Sequence, residues 1–158
     1  WLLSIPDGVG LVIDLGPVQP DIPDQVLMPL LARATMLTGN DLEMGRLEDR
    51  LGGAQAIREA CPRALIVRRT GAHGCVLHPV DGEPIEVAGF VRDVVDTTGA
   101  GDTHTGVLVA GLLDGLDVVE AARRANAAAA HAVACTGPAQ APLREEIDRF
   151  LRESDERL

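Results

Sequence analysis

Short apolar runs bounded by glycine, proline or threonine alternate along this chain with longer stretches of helical patterning, and that alternation restricts the fold more than any single residue does. GLVIDLG (10–16), ATML (34–37) and ALIVRR (64–69) have the length and bounding residues of buried strands. Between them lies QVLMPLLARA (25–34), a helix that Pro29 either kinks or starts. A short helix DLEMGRL (41–47) and a longer one, LEDRLGGAQAIREACP (47–62), closed by Pro62, follow. After the TGAHG turn, CVLHPV (75–80) and EPIEVAGF (83–90) flank Asp81-Gly82, a hairpin signal. Three more helices are predicted, over about 102–114, 117–135 and 142–152. Strands alternating with helices imply a three-layer α/β/α fold with a mainly parallel sheet, the hairpin being a local antiparallel exception. With no internal repeat or low-complexity linker, the 158 residues read as a single domain, 1–158.

Composition narrows the function. Hydrophobic residues make up 46% of the chain, enough for a globular core, but the aromatic residues are only Trp1, Phe90 and Phe150. Ala, Val, Leu and Ile must fill the interior, and AARRANAAAAHAVA (121–134) reads as a helix packed closely on its neighbours. A net charge of −10 argues against nucleic acid and anionic membranes as partners. Cys61, Cys75 and Cys135 share no short spacing, which argues against disulfides and zinc and fits a reducing cytoplasm. No apolar run approaches a membrane span, and no signal peptide is evident. The chain opens at Trp1 without an initiator Met and reads as a piece of something longer.

The segment DTTGAGDTHTG (96–106) concentrates the chemistry. It follows the apolar run Val91–Val95, read as a strand, and precedes a helical stretch. Glycines let a backbone approach a ligand closely. A helix N-terminus offers unpaired N–H groups and a partial positive charge. Amides at 99–101 are therefore placed to hold an anion, as a transferring phosphoryl group demands, and Asp102 to take a proton from a hydroxyl. The same residues also suit an N-cap and a turn. There is no GxxxxGK[ST] loop, no GxGxxG after the first strand, and no GxSxG elbow, which argues against P-loop, hydride-transfer and acyl-transfer chemistry. His73, His78, His104 and His131 lack metal-ligand spacing, and His104 reads as decoration of the helix's first turn.

DTTGAGD (96–102) closely resembles the C-terminal signature of the ribokinase (PfkB) family of carbohydrate kinases. The resemblance implies a ribokinase-like fold, with Asp102 as catalytic base and the amides of Gly99, Ala100 and Gly101 as anion hole. It implies that Asp96, with Gly137 of the CTGPAQAPLREEIDRFL segment, helps hold a monovalent cation, K⁺. NDLE (40–43) is similar to the family's N-x-x-E motif, so Asn40 and Glu43 are implied at the phosphate and Mg²⁺, Glu43 through water. On the residues alone, this stretch is also a plain helix cap. RRTGAHG (68–74) is similar to the family's loop over the nucleotide, placing Arg69, Gly71 and Gly74 at ATP, although the family usually has Thr or Lys where Arg69 stands. Asn126 falls where the family's penultimate helix contacts the nucleotide.

The resemblance runs from about Gly10 to Phe150 and covers the C-terminal half of the family only. The N-terminal half and the β lid, which carry the sugar-gripping residues, are absent, so the substrate is not legible. The expected activity is ATP-dependent phosphorylation of a small sugar. A nucleoside kinase of the same family and a truncated, non-catalytic nucleotide-binding fragment are the alternatives. A half-sheet would also leave an unpaired edge, which invites homo-oligomerisation.

Overall fold

The computed structural model describes residues 2–137 and 141–156. In chain order its elements are β1 (Val12–Asp14), α1 (Asp24–Arg33), β2 (Met36–Asn40), α2 (Asp41–Leu51), α3 (Ala54–Ala60), β3 (Leu65–Arg69), β4 (Gly74–His78), β5 (Ile85–Ala88), α4 (Ala100–Leu113), α5 (Val118–Val133) and α6 (Arg144–Asp155). The strands form one sheet of order β1-β2-β3-β4-β5. β1 pairs with β2 in parallel, Ile13 opposite Leu37, and β2 with β3 in parallel, Leu37 opposite Ile66. Residues 70–73 and 79–84, which join β3 to β4 and β4 to β5, are too short for a parallel crossover, so those strands must return antiparallel. The sheet is thus mixed, with its parallel ladders at the β1–β3 end.

The chain divides into two compact units, residues 1–69 with 76–85 and residues 70–75 with 86–158. In the first, Leu27 and Leu31 of α1, Leu37 of β2, Leu47 of α2, Ile57 of α3 and Ile66 of β3 form one buried cluster. α1 runs through Pro29, which is exposed, so the carbonyl its ring leaves without an N–H partner faces water. The helical stretch 41–62 divides differently from the sequence expectation. Its first helix continues to Leu51 and ends on Gly52 in the left-handed region (φ 98°), and α3 starts afresh after Gly53. Arg58 then ties the end of α3 down, donating to the carbonyls of Cys61, Ala64, His78 and Pro79 at 2.7–3.3 Å.

In the second unit the alanine-rich stretch is helix α5, capped by Asp117, whose Oδ1 accepts from the Val119 and Glu120 amides at 3.0 Å. Its alanines permit the close approach expected: a Cβ on Gly111 of α4 would meet the Ala121 Cβ at 3.1 Å. Ile147 and Leu151 of α6 pack on Ala127 and Ala128, and the scarce aromatics gather beside them, Phe90 edge-on to Phe150 at 5.0 Å. The Arg92 guanidinium lies 4.4 Å from the centre of the Phe150 ring.

One expected strand is not formed. Residues 91–95 have no regular structure, and Val91, Val94 and Val95 are 84%, 64% and 59% exposed. The apolar run has the composition of a strand, but a strand exists only beside a partner. The backbone bonds of this stretch lead from the Val95 and Asp96 amides to the single carbonyl of Val133.

Candidate active site

The loop 96–99 enters α4 through Gly99, which lies in the left-handed region (φ 79°), where a residue with a Cβ is strained. The Gly99 carbonyl accepts from the Thr103 amide at 2.9 Å, closing the first turn. Asp102 is the third residue of the helix and its side chain is exposed. A cavity of about 370 Å³ opens here, lined by Thr98, Gly99, Asp102, Thr103, Gly106 and Ala141 among others. The carboxylate, the glycine turn and the positive end of the helix thus face one space. The three amides assigned to an anion differ in their engagement. Ala100 donates to the Thr97 carbonyl at a long 3.3 Å, and Gly101 takes part in a further contact. Among the described residues the Gly99 amide makes no hydrogen bond.

Asp96 anchors the start of this loop. Its Oδ1 accepts from the Thr98 amide at 2.9 Å and its Oδ2 from the Gly137 amide at 3.2 Å. The Thr98 backbone bond, then the Thr98 hydroxyl and the Gly137 amide, hold its carboxyl below the usual carboxylate range. The two residues paired from the sequence for a monovalent cation are therefore in direct contact. Residues 138–140, between them and α6, lie outside the described residues.

The 70–74 loop belongs to the same unit. The Thr70 amide donates to the Gly74 carbonyl at 2.8 Å, and the Gly89 amide to the His73 carbonyl at 2.9 Å. Gly74 has φ 101°, and a Cβ there would lie 2.1 Å from the Val87 carbonyl oxygen. Only glycine fits.

Asn126, assigned to the nucleotide by the resemblance, is buried within this unit. It is 5% exposed, and its Nδ2 donates to the Val87 and Ala88 carbonyls at 3.0 and 3.1 Å. Its Oδ1 lies 3.0 Å from His104 Nε2. His104, expected as surface decoration, is 2% exposed. Both residues are buried structure in this unit.

Asn40, Glu43 and Arg69 come together in the other unit. Asn40 caps α2: its Oδ1 accepts from the Glu43 amide at 2.9 Å, while Glu43 Oε2 accepts from the Asn40 amide at 2.8 Å. This is a complete capping box. Arg69 grips Asp14 with two bonds, of 2.6 and 3.0 Å, and reaches Thr38 at 3.2 Å and Glu43 at 3.4 Å. Asp14 went unnoticed in the sequence. It ends β1 beside β2, where open α/β sheets collect ligands, and that position was the available signal. Asp14, Glu43 and Arg69 together carry one net negative charge. Among the described residues no group of three or more His, Cys, Asp or Glu side chains is arranged to hold a metal ion.

The model of the pfkB family carbohydrate kinases matches residues 12–145 of this chain. The chain belongs to the pfkB family of carbohydrate kinases. It is 32% identical over 163 aligned positions to the uncharacterized sugar kinase YegV of Escherichia coli K12, covering 93% of this chain and 47% of that protein. Over 75% of its length it is 39% identical to the bifunctional protein HldE of Nitrobacter hamburgensis, covering 26% of that protein. Among solved structures it is similar to the ribokinase of Thermotoga maritima, with 27% identity and a TM-score of 0.79 over 90% of this chain and 49% of that one. It is also similar to the nucleoside kinase of Burkholderia thailandensis in complex with inosine, with 30% identity and a TM-score of 0.81 over 92% of this chain and 48% of that one. The chain thus spans about half the length of these relatives or less. Their match establishes the ribokinase-like fold expected from the sequence. Among the described residues no helix is long and apolar enough to cross a membrane.

Proposed function

We propose that this chain supplies the nucleotide-binding and phosphoryl-transfer part of an ATP-dependent kinase that phosphorylates a hydroxyl of a small sugar. The observation that supports it most is the turn into α4, where an exposed carboxylate and a glycine-made helix start line one cavity. Asp102 acts as general base on the acceptor hydroxyl, which then attacks the γ-phosphate as its bond to the β,γ-bridging oxygen breaks and ADP leaves. The amides of Gly99, Ala100 and Gly101, at the positive end of α4, stabilise charge developing on the transferred group. Gly71 and Gly74 shape the loop that lies along the nucleotide.

Glu43 would hold Mg²⁺ through water, as suits an ion commonly held by few protein groups and several waters; its Oε2 is taken by the Asn40 amide and Arg69, which leaves Oε1 for that water. Bound with the phosphates, it would neutralise their charge. Asp96, kept ionised by its amide partners, is suited to K⁺ beside Gly137. Arg69 holds Asp14 and Glu43 in place in their own unit.

The acceptor is ranked by its relatives. YegV is named a sugar kinase, and the Thermotoga protein a ribokinase. Similarity to the inosine-bound Burkholderia kinase supports a nucleoside as the second reading. In the longest native form of the protein, D102N is expected to lower phosphoryl transfer to the preferred acceptor by about 10²–10⁴-fold. A loss below about tenfold would remove Asp102 from the chemistry. ATP titrated into the 158-residue chain by calorimetry, with and without Mg²⁺ and K⁺, tests whether this part alone binds nucleotide. Binding without turnover would mark it as a nucleotide-binding fragment.

A further inference from the structure

We infer that His104 and Asn126 form a buried strut that keeps the first turn of α4, and with it Asp102, in fixed register with the 70–74 loop. The inference rests on the reading of α4 proposed above and assigns both residues a positioning role.

Successive residues of a helix are about 100° apart, so residues two apart point to nearly opposite sides. Asp102 is exposed and His104 is 2% exposed, one facing the cavity and the other facing inward. The Asn126 side chain fixes the sense of their hydrogen bond. Its two Nδ2 hydrogens go to the Val87 and Ala88 carbonyls, so its Oδ1 is the acceptor and His104 Nε2 must carry the proton. The far end of the strut meets the nucleotide loop. The Val87 carbonyl that Asn126 holds is the atom a Cβ on Gly74 would strike. The next residues bind the loop directly, with Gly89 donating to His73. An unbroken series of bonded or touching groups therefore runs from α4 through α5 and β5 to His73 and Gly74, all within one compact unit. A ring of the right size without a donor would fill the space of His104 but leave the buried Asn126 oxygen unsatisfied.

That distinction sets the test, carried out on the 158-residue chain by amide hydrogen exchange read on peptides covering 70–75, 99–103 and α6. H104F, which fills the site with a somewhat larger ring and loses the donor, is expected to speed exchange in 99–103 about tenfold or more while α6 holds. H104Q, which can still donate, is expected to stay within about threefold of wild type. N126D keeps the acceptor and loses both donors, so its main loss of protection should fall on 70–75. Calorimetric titration of ATP·Mg²⁺ into the same proteins should rank them wild type, H104Q, H104F. Exchange in H104F equal to wild type overturns the strut, as does H104Q as labile as H104F, since shape alone would then matter. Equal loss in all three segments for both H104F and N126D also overturns it, because that pattern is global destabilisation. Nucleotide binding by wild type with exchange unmoved in H104F discards the strut and keeps the kinase reading. The exchange pattern without nucleotide binding by wild type keeps the strut and discards that reading.

Discussion

The turn into α4 and the cluster around Glu43 use similar residues to opposite effect. Both set an acidic side chain in the first turn of a helix. At α2 the protein closes on itself: Glu43 is 9% exposed, its Oε2 is shared by the Asn40 amide and Arg69, and Asp14 completes the group. At α4 the helix starts on a glycine with no capping side chain, and Asp102 is left exposed on a cavity. Asn40 caps α2 with its own oxygen, whereas Gly99 has no side chain to offer the α4 amides. A helix start that leaves its capping to something else is suited to a ligand that brings its own oxygens. The first arrangement is suited to stability, with whatever metal binding its remaining oxygens allow.

The contrast would break most sharply at Gly74. A Cβ there lies 2.1 Å from a backbone carbonyl, and φ 101° is strained for any side chain, so the 70–74 loop cannot absorb the change locally. Gly74→Ala is expected to cost about 3 kcal/mol or more in chemical denaturation, at the upper end of single substitutions. A loss under about 1 kcal/mol would show that the loop and β5 separate easily, and would weaken the case for a rigid nucleotide loop.

A smaller effect is expected at the closed cluster. Arg69→Met leaves Asp14 and Glu43 close together without their cation, in a site where the Arg69 side chain is 12% exposed. A cost of about 2 kcal/mol is expected. Asn40→Ala removes a helix cap and should cost about 1 kcal/mol. Both changes act on Glu43, Arg69→Met at its Oε2 and Asn40→Ala at its backbone amide, so their double-mutant cycle should show coupling of about 0.5 kcal/mol or more in urea unfolding. Glu43→Gln sharpens the comparison further. If Glu43 serves Mg²⁺ as well as the cap, the Mg²⁺ dependence of ATP binding shifts in that variant. If it serves the cap alone, stability falls and the Mg²⁺ dependence stays.

How much of this was legible depended on how far apart in the chain the partners stand. The glycine turn at 96–102 was legible because its requirement is local: Gly99 needs φ 79°, and the helix pattern starts directly after it. The capping box was legible for the same reason, both partners lying three residues apart. The helix break at Gly52-Gly53 was also written locally, yet the apolar pattern carried across it and concealed it. The ion pair of Arg69 with Asp14 joins residues 55 apart, and the Asn126 bonds to β5 span 38 and 39. No spacing rule reaches that far, so neither the Asn126 bonds to β5 nor the burial of His104 was legible. The 91–95 stretch failed for a related reason. Its composition suits a strand, but pairing depends on a neighbour that local sequence does not specify.

The smallest expected effect concerns Asp96, where the open site borrows the closed site's device. Its carboxylate accepts two backbone amides, from Thr98 and Gly137, and these hold its pKa below the ordinary value of about 3.9. A carboxyl depressed in the folded state contributes stability above its unfolded pKa and loses it as pH falls through the folded one. The loop 96–99 should therefore loosen only below about pH 4. Asp96→Asn keeps an acceptor for one amide and removes the charge. Its thermal midpoint should be slightly lower than wild type at neutral pH, with the gap closing as pH falls below about 4. A gap that persists unchanged at pH 2 would mean that shape, not ionisation, makes Asp96 hold the loop. In that case K⁺ would lose the charged partner assigned to it. A gap that closes on acidification, and K⁺ stabilisation that disappears in Asp96→Asn, would place charge and loop order on the same oxygen atoms.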